Sequence, residues 1–110
     1  MKPLETDDLT HKLAIRRATE VDNGKGGYTT DWSDLCMPWG EVIGLAGHES
    51  VLEHALQGIA VYRIRIWYRE GLLPADQVRY GALDLNIRSV ADPFGTRREL
   101  VILADTASTR

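Results

Sequence analysis

His48, Glu49 and His54 are the residues whose types first suggest chemistry, and their spacing decides the matter. A zinc-protease helix needs two histidines four apart on one face, but the position four after His48 is Leu52, and His54 is rotated away. Ser33, Ser50, Ser89 and Ser108 lack a Gly-x-Ser-x-Gly setting that would expose a nucleophile. Cys36 is the only cysteine, which excludes an internal disulfide and a multi-thiolate zinc site and leaves a half-buried thiol. Lys25 is followed by Gly26 and Gly27 and then a β-type run, whereas a phosphate loop needs Gly-Lys-Ser/Thr at the mouth of a helix. The sequence therefore predicts no enzyme: no catalytic residue, no metal and no cofactor.

Arginine is the remaining candidate. The stretch Ile59 to Arg69 reads IAVYRIRIWYR, and strict alternation divides it into two faces. Ala60, Tyr62, Ile64, Ile66 and Tyr68 form an apolar side, while Arg63, Arg65, Trp67 and Arg69 lie opposite with Ile59 and Val61. Cations interrupted by an indole admit three readings. They are a nucleic-acid platform, joined by Arg88; a solvated face paired with Asp84 and Glu99; or a protein interface. The net charge of -3 and a pI near 5.5 argue against a general nucleic-acid binder, since only a local stripe is basic.

The elements that position these residues are mostly strands. Residues 1–10 are acidic and proline-bearing, which predicts a flexible arm or a tail that orders on contact. His11 to Thr19 alternates as a first strand, and Val21 to Thr30 supplies a glycine-rich hairpin loop leading to a return strand from Thr29 to Ser33. Leu35 to Ala46 reads as a curved strand with Gly40 and Gly44 at bulges or bends. Residues 48–57 change period, with Val51, Leu52, Ala55 and Leu56 at helical spacing and Gly58 as a cap, predicting one short helix. Val78 to Arg88 gives two strands about a turn at Gly81. Asp92, Pro93 and Gly95 then lead into a last strand from Arg97 to Ala104, apolar on both faces and so either central or covered by another chain.

These elements predict a mainly β protein: one small barrel or sandwich of six to seven strands over residues 11–104, with a frayed tail at 105–110. At 110 residues the chain suits one domain with a modest core. The opening residues lack an apolar targeting segment and no stretch has the length of a membrane span, so no membrane association is expected.

In order and spacing the chain resembles the phage head-tail joining family, the head-closure, stopper and adaptor proteins of tailed phages and gene transfer agents. The likeness runs from His11 to Ala104. It is carried first by Arg16-Arg17, Asp22, Gly26-Gly27 and Trp32, then by Trp39, Val42, Leu45, Gly47 and Glu49. It continues through Tyr62, Ile64, Ile66, Tyr68, Arg69 and Gly71 to Gly81, Ile87, Val90, Asp92, Gly95, Arg98, Glu99 and Leu100. Trp67 departs from the family, where a basic residue is common, and an indole there suggests a more apolar contact.

The resemblance implies a virion structural protein forming a homo-oligomeric ring, twelvefold or sixfold, at the head-tail interface, assembled in the host cytoplasm. Its expected partners are the portal or adaptor on the head side and a tail terminator or tail tube protein on the other, with packaged DNA passing through. Asp22, Asn23, Gly24, Lys25, Gly26, Gly27 and Tyr28 match the family's channel loop and hinge. Arg63, Arg65, Trp67, Arg69, Arg97 and Arg98 would be subunit or partner contacts. Asp22 and Asp31 outweigh Lys25, so the loop would discourage DNA from sticking.

Overall fold

Period-two alternation of apolar residues builds one antiparallel sheet, seen in a computed structural model that describes residues 2–45 and 58–107. The strands are β1 (His11–Lys12), β2 (Ala14–Asp22), β3 (Tyr28–Cys36), β4 (Trp39–Leu45), β5 (Val61–Trp67), β6 (Gln77–Tyr80), β7 (Leu83–Ala91) and β8 (Glu99–Asp105). Their order across the sheet is β1-β4-β5-β8-β7-β6-β2-β3. The helix expected at 48–57, with His48, Glu49 and His54, lies outside the described residues.

Curling follows from the first strand. β1 and β2 are separated only by Leu13, yet β1 pairs with β4 (His11 opposite Gly40) and β2 pairs with β6 (Ile15 opposite Val78). One run of chain thus ties both margins of the sheet together and wraps it into a barrel. The count is eight strands because Leu13 breaks the first one: its N–H donates to the Pro38 carbonyl at 2.9 Å and its side chain is buried. Gly40 lies where β1 crosses, and a Cβ there would meet Ile66 and Leu13 side-chain atoms at 2.9 Å and the Arg65 carbonyl at 3.0 Å. β4 is consequently continuous from Gly40 to Leu45, and the register shifts fall instead at Ile15/Arg16 and Ile87/Ser89.

Inside lie Leu13, Ile15, Ile64, Ile66, Val78, Leu85, Ile87, Leu100, Ile102 and Ala104. β8 is central, between β5 and β7, which accounts for its apolar character on both faces. It extends through Asp105; beyond it the Thr106 N–H donates to the Ala60 carbonyl at 3.1 Å, so the chain stays tied past the expected end of the domain.

Alternation misplaces one residue. Arg65 does point to the outer face, but it is 2% exposed, because the N-terminal arm crosses over it. Its guanidinium donates to Glu99 Oε1 from Nε at 3.1 Å and from Nη2 at 2.6 Å, and Nη2 also donates to the Lys2 carbonyl at 2.6 Å. Glu99 is itself fully buried, and its Oε2 accepts the Leu4 N–H at 2.7 Å. Leu4 is fully buried too, and Thr6–Asp8 form a 3-10 turn before β1. The arm therefore orders against its own barrel.

Removing one partner of a buried ion pair strands the other charge. Arg65→Ala is expected to lose about 3–5 kcal/mol in urea unfolding, whereas Arg79→Ala, at the exposed pair with Asp84 3.9 Å away, should change stability by less than about 1 kcal/mol.

Candidate functional site

β2 outruns the barrel. It pairs with β6 only from Ala14 to Arg16, and from Arg17 to Asp22 its sole partner is β3. Six residues at about 3.4 Å each give a two-stranded ribbon projecting about 20 Å, in a molecule 51 Å long and 33 Å by 24 Å across. Residues 18–31 are exposed except Gly27, and the ribbon's carboxylates Glu20, Asp22 and Asp31 face one ammonium, Lys25.

Local chemistry shapes the tip. Asn23 Oδ1 accepts the N–H groups of Lys25 at 2.8 Å and Gly27 at 3.3 Å, and its own N–H donates to the Gly27 carbonyl at 3.0 Å. Asp22 Oδ1 accepts the Gly24 N–H at 2.8 Å. Gly24 and Gly26 adopt φ of 74° and 79°, which side chains with a Cβ resist, while Gly27 has no such restriction. These residues form a tied turn capped by Tyr28, which is 71% exposed.

The root is clamped. Arg17 grips the buried Asp76 with Nε to Oδ1 and Nη2 to Oδ2, both 2.9 Å, and reaches the Gly71 carbonyl at 2.5 Å. That bond to Asp76 holds the Arg17 guanidinium above its already high pKa. Cys36 lies at the foot of β3, and burial pushes its thiol up; the charge of Arg69 opposes the rise and that of Asp76 adds to it.

A second surface occupies the same end of the barrel. β2 and β5 run in the same direction through their pairings, so the ribbon tip and Trp67 point the same way. There Trp67 and Trp39 are 36% and 53% exposed, and with Thr6, Leu9, Pro38, Tyr68 and Arg69 they line a groove of about 380 Å³. Arg98 stacks over the Trp67 ring at 5.7 Å. Arg97 sits nearby with φ of 54°, held there as its N–H donates to Asp92 Oδ2 at 2.8 Å.

Of the expected contact residues, the structure gathers Trp67, Arg69 and Arg98 at this end and places Arg97 in the adjoining loop. Arg65 is a correction to an open contact surface: it is buried under the chain's own arm, whose Lys2 carbonyl takes up its guanidinium, and no other chain reaches it while that arm is bound. Arg63 lies further down β5, half-buried, opposite Ile43 and Leu103, and its Nε is buried without a hydrogen bond. Met37, Trp39 and Phe94 were missed as surface residues; each is a large apolar side chain in or beside a turn between strands, and that position was the available signal. Among the described residues no cluster of three or more His, Cys, Asp or Glu could hold a metal, and no helix is long and apolar enough to cross a membrane.

The sequence profile of phage head completion proteins matches residues 4–107. The chain belongs to the phage head completion protein family. Two solved structures share its fold. One is a chain in the virion of a native gene transfer agent particle, with 24% identity, a TM-score of 0.64, and coverage of 89% of this chain and 94% of that one. The other is a protein of Shigella flexneri 2a known from a solution structure, with 20% identity, a TM-score of 0.72, and coverage of 97% and 100%. No curated protein matches the sequence. Membership of this family gives the chain a structural role in a virion.

The raised thiol pKa has a direct consequence. At pH 7.5 less of Cys36 is thiolate than in an exposed cysteine, so alkylation by iodoacetamide should be slower than for a free thiol. It should accelerate only as the pH climbs past the ordinary thiol range.

Proposed function

We propose that this head completion protein assembles as a ring at the head-tail junction, with the β2–β3 ribbon directed at the DNA channel. The projecting acidic ribbon carries this reading. Two strands with almost no buried surface contribute little to folding, so their length is explained by reach. Their carboxylates repel the DNA backbone, which suits a part that must block or line a channel and then release its contents.

The tied tip changes where such a part would bend. The glycine turn moves as a unit with the ribbon, and the flexing point lies just beyond the Arg17 clamp, where β3 becomes the sole partner of β2. The aromatic end then serves as the contact for a neighbouring subunit or for the portal, adaptor, terminator or tail tube, with Trp67 and Trp39 as apolar anchors and Arg69 and Arg98 at their edge. Nucleic-acid binding by the arginine stripe loses ground: Arg65 is enclosed and Arg88 is bound bidentately to Asp105, at 3.0 and 2.9 Å.

Because Thr19 pairs with Asp31, Glu20 to Thr30 can be replaced by an Asn-Gly turn without altering the barrel. Particles carrying this trimmed chain should package DNA and then lose it, measured as nuclease-sensitive DNA in the medium. Normal retention would remove the channel role. Trp67→Ala is expected to weaken subunit association at least tenfold by analytical ultracentrifugation or particle incorporation, with unchanged monomer stability.

A further inference from the structure

We propose that the buried Arg65–Glu99 pair is the floor of a peptide-capture site whose ligand is the N-terminal segment Lys2–Leu4, held in cis here and exchanged between copies of the chain when they meet. The site reads backbone. Arg65 Nη2 donates to the carbonyl of Lys2 at 2.6 Å, and Glu99 Oε2 accepts the N–H of Leu4 at 2.7 Å. These are the carbonyl of one residue and the amide of the second residue after it, the spacing that an extended segment presents along one edge. Leu4 fills an apolar position, fully buried, whereas Lys2, Pro3, Glu5, Thr6 and Asp7 are exposed. Pro3, between the two contacts, has no N–H to offer and none is asked for; its fixed φ keeps the segment extended before it binds.

Both groups in the floor are built for this ligand. Glu99 and Arg65 are 0% and 2% exposed, and each would have an unmet hydrogen-bonding position if the arm left. Whatever lies across them must meet those positions, and the arm meets them with backbone groups while its leucine excludes water. The bed is also wider than its occupant. Beside the arm, a groove of about 300 Å³ is lined by Pro3, Phe94, Thr96, Arg98 and Glu99, and the groove of about 380 Å³ by Thr6 and Leu9. Glu41 Oε1, buried and 3.6 Å from Arg65 Nη1, has no hydrogen-bond partner.

Exchange follows from the connection. The hydrogen bonds to the barrel and the fully buried leucine fall within residues 2–4, and residues 5–10 separate them from β1 by a short 3-10 turn that keeps its bonds within itself. An identical arm from a second copy makes identical bonds, so swapping gives up no bond; its cost is the entropy of joining two chains, and it links neighbouring subunits. The site stands on its own geometry, whether or not the assembly is a ring.

The test uses the full chain and a fluorescein-labelled peptide of residues 1–10. Full-length Leu4→Ala, whose own arm holds weakly, should bind the wild-type peptide saturably and at least tenfold more tightly than the wild-type chain does, because the wild-type arm competes. A Leu4→Ala peptide should bind neither. Equal affinity for the two chains, or for the two peptides, would overturn the proposal. Should Leu4→Ala fail to fold, excess unlabelled peptide added to the ¹⁵N-labelled wild-type chain gives the same decision. The Leu4 amide signal should then move toward its unstructured position, and a signal unmoved at millimolar peptide would refute exchange.

Discussion

Two charges removed from water need every hydrogen-bonding position filled, and the Arg65–Glu99 pair imposes that constraint on the rest of the fold. The pair lies on the outer face of neighbouring central strands, where a barrel this small has no second layer to cover it. The N-terminal arm serves as that layer. Its course is fixed by two backbone bonds and one leucine, so a segment with an acidic, proline-bearing composition becomes ordered without forming a strand. The position of the arm in turn sets which part of the outer surface stays open: Trp67, Trp39, Arg98 and the grooves beside them.

Stability is divided unevenly as a result. The barrel body carries the buried residues, a strand stitched to both margins of its sheet and three close ion pairs: Arg65–Glu99, Arg17–Asp76 and Arg88–Asp105. The ribbon carries almost none of this and is held by backbone pairing, the Asn23 turn and the Arg17 clamp. A part with little to lose on bending, attached to a body that resists it, is the arrangement from which moving elements are drawn. Its free edge along β3 would also invite pairing with other chains, and Asp31 and Asp34 discourage that.

Much of this was legible in the sequence because period-two alternation reports directly on a sheet. It located the central strand and the hairpins at Asn23-Gly24 and Asp92 to Gly95, and it narrowed the last strand to two places, central or covered by another chain, of which the first is found. Alternation reports which face a residue occupies and says nothing of what lies over that face, so Arg65 looked open to solvent or to a partner when the chain's own arm encloses it. The covering segment, bonded to Arg65 through Lys2, lies 63 residues earlier in the sequence and is recognised through its backbone, leaving no side-chain pattern to read. Gly40 failed for a related reason: a glycine in a strand signals either a bulge or a close approach, and only the crossing of β1 distinguishes them. The reach of the ribbon was hidden because its strands look the same in sequence whether they pair within the barrel or beyond it.

Direction is the last consequence of the topology. β2 and β5 run the same way, so the acidic ribbon, the exposed tryptophans and the β7–β8 loop with Arg97 and Arg98 all belong to one end of the barrel, and the Gly81 turn belongs to the other. A subunit with its charged reach and its apolar anchors at one end has a defined polarity. Two such subunits facing each other would bring their ribbon carboxylates together, and like charges oppose that arrangement. Side by side, with all ribbons pointing one way, the anchors of each copy can meet a different surface of the next, which is the contact geometry that closes rings. The proposed exchange of arms asks for the same arrangement, since a segment of this length reaches a neighbour's Arg65–Glu99 pair only if that neighbour stands alongside.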